Sequence, residues 1–511
     1  MKLKKTPKLA LVFYLIIFIG LIIRLFYVSQ IQSLWGDEAA NFFHAKEPLS
    51  ILIKGDYFGF ASNPPLSFII FKFWTLISND EKWLRLLGTI TSILSIFVVG
   101  AITKELFPKK KYILVILAFI FAISTYQIRL GAELRYVNLC FLFLSACLYF
   151  FLRVIRGKSS VLYSCIFGIL AMFTDYSYFW LWLSMVFYAL IILVKYLKGD
   201  KTHVPLLKVF ICIVVPALVF LPWLPKFLHN LDFPFYSGYI SKPQIIDIPA
   251  LLLSYLISFP TEYGISAQSY HFWKPLVFLV RNENIVKAIY LILSNSLLIA
   301  VIFKLIQFIR SNPELFMKIS MMIPVIASYI FSQKNPIFVD YNLQIVSIGL
   351  MIMLAAFISD HKKMGVIVLL LYTFLNFLSL KVLFQFEAVK ENWNAIISHA
   401  KDALGTQKSL ILIYPNVNIF PVKYYYQTFN LDSRISLLEL DKSDVNKGEY
   451  ENNLSQYNYQ KVCLVTNTYS EGGYDLKIKN YLTFRYDSLN RLDTYGIYIQ
   501  CFKLKNYEKE T

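Results

Sequence analysis

The sequence predicts a mainly α, polytopic transmembrane helix bundle followed by a small C-terminal α/β domain outside the cytoplasm. Three observations predict it. The 511 residues are 57% hydrophobic and only 16% charged, with a mean hydropathy of +0.54, far from the balance of water-soluble domains. Apolar runs near the roughly 18 to 20 residues that cross a ~30 Å hydrocarbon core recur from the N-terminus to about Phe384. Beyond Phe384 they stop, and shorter, mixed patterns take over.

The first run, residues 9–28, follows Lys2, Lys4, Lys5 and Lys8 in the manner of a signal peptide. It has no small-residue cleavage site, and Arg24 with bulky neighbours follows, so it is read as a membrane anchor. Further spans are expected at 84–103, 112–127, 136–152, 161–173, 178–194, 206–221, 285–303, 317–331, 338–358 and 364–383. That makes about eleven, with room for up to thirteen.

Segment 65–78 is apolar but short, opens with a proline pair and contains Lys72. If it does not cross, the basic loops at Lys104 to Lys111, Arg153 to Lys158, Lys195 to Lys208, Lys304 to Lys318 and Lys362 to Lys363 share the side of the N-terminal lysines, as the positive-inside bias requires. It is therefore read as an interfacial or re-entrant helix. This reading puts the N-terminus in the cytoplasm and, on the opposite side, loops 29–83, 127–135, 174–177, 223–284 and 332–337 together with the tail. The domain division is 1–384 for the membrane part and 385–511 for the exported α/β part. In the tail, helices are expected at 392–404 and 421–429 and strands at 409–414, 461–466 and 496–503.

The formal charge is +18, from 50 Lys and Arg against 32 Asp and Glu. Acids and bases are about equal after residue 384, so the surplus sits in the short loops between spans and reports topology, not nucleic acid binding. Of six cysteines, Cys140, Cys147, Cys165 and Cys212 lie in apolar runs without metal-ligand spacing. Cys463 and Cys501 fall in strand-like stretches and can pair if the tail is exported.

Chemistry centres on Leu34-Trp35-Gly36-Asp37-Glu38-Ala39-Ala40-Asn41, two adjacent carboxylates at the expected outer surface. Ionisable groups at membrane depth commonly face a water-filled path, and a carboxylate there can serve as a general base. Acids in this place also simply cap helices. After the pair come, in order, Ala61-Ser62-Asn63-Pro64-Pro65-Leu66, Trp83-Leu84-Arg85-Leu86-Leu87-Gly88, Gly131-Ala132-Glu133-Leu134-Arg135-Tyr136 and Leu221-Pro222-Trp223-Leu224-Pro225. This succession resembles the GT-C membrane glycosyltransferases of the protein mannosyltransferase and aminoarabinose transferase type. The resemblance covers about the first 230 residues in motifs and the rest in layout.

The resemblance implies an inverting glycosyltransferase that moves a sugar from a polyprenyl phosphate donor to an extracytoplasmic glycan, glycolipid or protein. By match to the family's first-loop acid, Asp37 would be the base and Glu38 its orienting neighbour. Arg135 and Arg129 would grip the donor phosphate, because a guanidinium forks onto two oxygens. Arg85 and Lys334 are further candidates for that phosphate, although an arginine opening a span also snorkels or anchors a helix end. Asn63, Glu133, Tyr136, Asp175 and Tyr176 are candidates for the substrate cavity. Asp175 serves equally well as a turn former. Whether a divalent cation takes part is open, with Glu133 a possible ligand. Many members of the family it resembles carry Arg-Tyr at the outer start of a late span, whereas this chain has Asp340-Tyr341, so a phosphate contact is missing or supplied elsewhere. His271 and Glu262 read as solvated loop residues, and the Tyr424-Tyr425-Tyr426 cluster as domain core more than as a saccharide contact. The competing readings are a transporter or flippase of lipid-linked saccharides, and a non-catalytic scaffold of the same fold. The expected location is a bacterial plasma membrane.

Overall fold

The computed structural model describes residues 7–31, 33–56, 63–199, 204–232, 242–245, 247–257, 285–310, 315–384, 391–457, 459–467, 473–494 and 496–505. The chain forms two compact units, one of Met1–Gln30 with Ala45–Phe384 and one of Ile31–His44 with Gln385–Thr511. His271 and Glu262 lie outside the described residues.

The helices of the first part of the chain are α1 (Pro7–Gln30), α2 (Gly36–Lys46), α3 (Leu49–Lys54), α4 (Leu66–Thr75), α5 (Glu81–Leu106), α6 (Ile113–Ile123), α7 (Thr125–Gly131), α8 (Tyr136–Ile155), α9 (Val161–Met172), α10 (Tyr178–Leu197), α11 (Leu206–Phe220), α12 (Leu224–Asp232) and α13 (Asp247–Leu256). Four more come after them, Ile285–Arg310, Leu315–Phe331, Gln344–Asp360 and Lys362–Leu383. Each expected span thus falls mainly on helix. Among the described residues, seven helices are long and apolar enough to cross a membrane, and α6 with α7, bent by 58°, are so together. Shorter apolar helices, Val161–Met172 and Leu315–Phe331 among them, complete the set.

Burial sorts these helices by place. The helix Gln344–Asp360 is buried along nearly its whole length and forms the centre of the bundle, whereas α1 shows Leu11, Leu15 and Phe18 outward. An apolar helix that leaves its side chains exposed needs lipid around it.

Helix α4 is short, and the packing of α1 on α5 shows that it does not reverse the sidedness of the later helices. Phe13, near the start of α1, packs edge-on against Phe97 in the second half of α5, while Arg24, near the end of α1, bonds to Ser92 nearer the start of α5. The two helices are therefore antiparallel, and the start of α1 shares a face with the end of α5. The basic loops meet on that face. Glu105 binds Arg156 at 2.8 Å and Lys158 at 2.7 Å, and Asp360 binds both Lys110 and Lys304. Trp74 at the end of α4 stacks on Trp83 of α5 at 4.5 Å, and each indole N–H donates to the other's carbonyl.

The expected single span at 112–127 is broken at Ser124 instead. No proline or glycine lies there. Side chains from other helices hold the freed backbone groups, as a break in lipid requires. Tyr372 Oη donates to the Ile120 carbonyl at 3.0 Å, Arg24 donates to the Phe121 and Ala122 carbonyls at 3.0 and 3.2 Å, and Asn376 Oδ1 accepts the Thr125 N–H at 2.9 Å.

The second unit is an α/β domain around a five-stranded sheet of β1 (Ser409–Tyr414), β2 (Ile435–Glu439), β3 (Lys461–Asn467), β4 (Tyr486–Thr494) and β5 (Ile497–Leu504), in the order β2-β1-β3-β5-β4. The first three are mutually parallel, β5 adds antiparallel to β3, and β4 adds antiparallel to β5. Helices Trp393–Leu404 and Ile419–Thr428 appear where the sequence predicts them, within two residues at each end. Strands β2 and β4 and the helices Lys442–Lys447, Glu449–Tyr457 and Tyr474–Arg485 go beyond that prediction. Cys463 and Cys501 face each other in the β3–β5 register and form a disulfide.

Candidate functional site

The acidic pair belongs to the second unit. Helix α2 begins at Gly36, so Asp37 and Glu38 occupy its first turn, where the positive end of the helix dipole favours them. Asp37 is exposed, and Glu38 is 1% exposed, its carboxylate accepting the Trp35 N–H. Glu38 thus caps the start of α2, and Asp37 is exposed beside it.

The C-terminal domain fixes this segment. Leu34 N–H donates to Tyr425 Oη at 2.7 Å, and Ser33 Oγ accepts the Trp393 N–H at 2.9 Å. Phe42 meets Tyr424 edge-on at 5.1 Å, and His44 packs on Phe420. Trp393 and Tyr425 are fully buried, which makes them core. Burial also pushes the His44 imidazole down to about 4, so it is neutral at pH 7.

In the first unit, charges gather at the face opposite the basic loops. Arg129, on the last turn of α7, pairs with Asp340 at 2.9 Å, and its Nε is buried with no hydrogen-bond partner among the described residues. Tyr126 Oη and Tyr255 Oη both donate to the Asp340 carbonyl, at 3.3 and 3.0 Å, which locks the turn before Gln344–Asp360 onto α7 and α13. Arg135 opens α8 and stands 3.6 Å from Glu133, with its guanidinium over the Tyr341 ring at 4.9 Å and the Tyr136 ring at 5.8 Å. Asp175 is buried in the turn between α9 and α10, and its Oδ1 accepts the Ser177 N–H at 2.8 Å, a turn-forming bond. Burial raises its carboxyl above the usual range, against the opposing pull of the Ser177 bonds and the Arg135 charge.

The remaining candidates are more dispersed. Arg85 is fully buried and paired with Glu81 one turn earlier at 3.4 Å. Lys334 is exposed in the turn after Leu315–Phe331. Tyr176 Oη accepts the Trp223 indole N–H at 3.1 Å. Asn63 is half-buried ahead of the proline pair, and the Leu66 N–H behind it donates to the Phe173 carbonyl at 2.9 Å. Among the described residues no three His, Cys, Asp or Glu side chains come together as a metal-binding group.

Sequence reasoning marks Asp340 as a misfit and does not find its partner. It also passes over Tyr126, Tyr255 and Asn376, and uses Arg24 only as an argument against cleavage. Arg24 carries a signal, since a lone arginine inside an apolar run must be satisfied by something.

No family model matches the sequence, and no curated protein matches it. Among solved structures the fold is similar to ArnT from Cupriavidus metallidurans in the apo state, with a TM-score of 0.56 at 12% identity over 96% of this chain and 97% of that one. The same protein bound to undecaprenyl phosphate gives 0.54 at 12% identity over the same shares. The Archaeoglobus fulgidus oligosaccharyltransferase tethered with an acceptor peptide gives 0.51 at 12% identity, over 91% of this chain and 69% of that one. The chain has the GT-C fold. At such low identity a shared GT-C fold transfers architecture, and chemistry has to be argued from the side chains themselves.

Proposed function

We propose that this GT-C chain is an inverting glycosyltransferase that moves a sugar from a polyprenyl monophosphate to an acceptor outside the cytoplasm. The observation that carries the reading is the pair of arginines, Arg129 and Arg135, gathered at the face opposite the basic loops of a GT-C bundle. Positive charge at that face is not explained by topology, which puts bases on the other side. Arg129 is paired with Asp340 and Arg135 with Glu133, so carboxylates hold both guanidiniums in place. A guanidinium so held can fork onto two oxygens of a phosphate.

In this reading the bond between the anomeric carbon and the phosphate oxygen breaks as the acceptor hydroxyl attacks from the opposite side. Asp37 takes the hydroxyl proton, Glu38 keeps the first turn of α2 in place, and Arg135 with Arg129 neutralises the departing phosphate. The Cys463–Cys501 disulfide fits an exported C-terminal domain, because such bonds persist in oxidising compartments. With that domain outside, the N-terminus lies in the cytoplasm, as expected for a bacterial plasma membrane protein. Transporters also break spans, but in matched pairs, and α6–α7 is the single bent pair among the described residues.

The test uses purified protein with radiolabelled polyprenyl phosphate sugars and a membrane extract, followed by identification of what becomes labelled. Asp37→Asn is expected to lower transfer by at least about a hundredfold with normal expression and insertion. Full activity in that variant would remove Asp37 from the mechanism.

A further inference from the structure

We infer that Arg24 is a positioning residue whose hydrogen bonds hold the span α6–α7 in its bent form and thereby set the placement of Arg129, Glu133 and Arg135. The inference rests on the glycosyltransferase reading only for what those residues bind. An arginine within a membrane span is costly unless every donor is satisfied. Arg24 is fully buried, and its guanidinium donates to Ser92 Oγ at 3.1 Å, to the Gly20 carbonyl at 3.0 Å, and to the Phe121 and Ala122 carbonyls. The last two are carbonyls that the break at Ser124 deprives of helical partners.

Local sequence does not impose the break. Residues 113–131 are long enough for one straight span, and Ile123-Ser124-Thr125 has no obligate helix breaker. A straight helix would satisfy the same carbonyls internally and leave Arg24 without them. The bent form is stable because three side chains arrive from two helices: Arg24 from α1, and Tyr372 and Asn376 from Lys362–Leu383. Asn376 also donates to the Leu256 carbonyl at the end of α13, which joins the start of α7 to its neighbour.

The consequence is directional. After the bend, α7 carries Arg129 to Asp340, and its last residue, Gly131, lies against Ser92, where a β-carbon would stand 3.0 Å from the Ser92 Cβ and 3.7 Å from Arg24 Nε. Thr89 Oγ1 holds the Gly131 carbonyl at 3.1 Å, and a β-carbon at Gly88 would come within 2.9 Å of the Gly131 and Glu133 carbonyls. The turn that presents Glu133 and Arg135 therefore rests on Arg24, Ser92 and the bare surface of Gly88.

The experiment compares wild-type protein with Arg24→Met, Arg24→Lys and Tyr372→Phe in detergent, with Leu148→Ala in the distant α8 core as a control for general destabilisation. Two readouts are taken. Amide hydrogen exchange over residues 121–135 should accelerate at least tenfold in Arg24→Met and less in Arg24→Lys, with Leu148→Ala leaving that segment unchanged relative to the rest. Affinity for undecaprenyl phosphate in mixed micelles should fall at least tenfold in Arg24→Met and partly recover in Arg24→Lys. Unchanged exchange over 121–135 in a folded Arg24→Met protein overturns the inference; if that variant does not fold, Tyr372→Phe decides by the same readout. Accelerated exchange with wild-type affinity would confine Arg24 to the bend and refute its influence on ligand binding. Failure of the wild-type protein to bind undecaprenyl phosphate would refute the donor assignment, while exchange would still decide the role of Arg24.

Discussion

Arg129 and Asp340 show why single residues mislead when read alone. Asp340 stands where the resemblance leads one to expect a base, and the sequence can mark the position only as a departure. The structure gives that acid an arginine 211 residues away. Because Asp340 is 7% exposed and Arg129 27%, the pair falls between exposed pairs and fully desolvated ones. Arg129→Met and Asp340→Asn are each expected to cost about 1 to 3 kcal/mol, with the double variant costing clearly less than their sum. Additive losses in thermal unfolding would show that the contact contributes nothing. His44 makes a prediction with a definite sign. Its folded pKa of about 4 lies below the ordinary 6.5, so the unfolded chain binds a proton more readily and folding favours the neutral ring. The contribution is complete above pH 6.5 and is lost as pH falls toward 4, by roughly 3 kcal/mol at most. His44→Gln should flatten that part of the pH dependence of melting, and an unchanged slope would assign the sensitivity to other groups.

At the scale of elements, hydropathy locates the spans well because burial in lipid is set by the local sum of side chains. It cannot locate the bend at Ser124, whose partners lie on α1 and on Lys362–Leu383. In the soluble domain the same limit explains β4. Five of its residues in succession are exposed, and its polar sequence becomes a strand only through pairing with β5. The disulfide ties this edge region to the parallel core of the sheet, since Cys463 and Cys501 are 38 residues apart. Replacing both by alanine should lower stability of the domain by about 3 to 4 kcal/mol, measurable as faster proteolysis of the tail in the otherwise intact protein. Equal resistance in both forms would mean that the bond adds little.

For the whole molecule, sidedness is the property that function needs most. Antiparallel packing of α1 and α5 puts the start of α1 and the basic loop after α5 on one face. The glycosyltransferase reading makes that face cytoplasmic. The four cysteines outside the disulfide are buried, so introduced thiols can be read cleanly. Asn79→Cys should react with an impermeant maleimide in intact cells, and Lys109→Cys only after permeabilisation. The reverse pattern would put the candidate residues on the wrong side for a lipid-linked donor outside the cell. The chain also joins differently from its linear order, because Ile31–His44 folds with Gln385–Thr511.

Composition and apolar periodicity alone determined that this chain is a helix bundle with a polar α/β tail, and where most helices run. Those properties are sums over neighbouring residues, so a sequence states them directly. Tertiary structure decided which carboxylate faces which arginine, where a continuous apolar run bends, and that the segment with Asp37 and Glu38 is held by a domain hundreds of residues later. Each of these depends on groups meeting across long separations, and such meetings are fixed by the packing of helices and strands against one another.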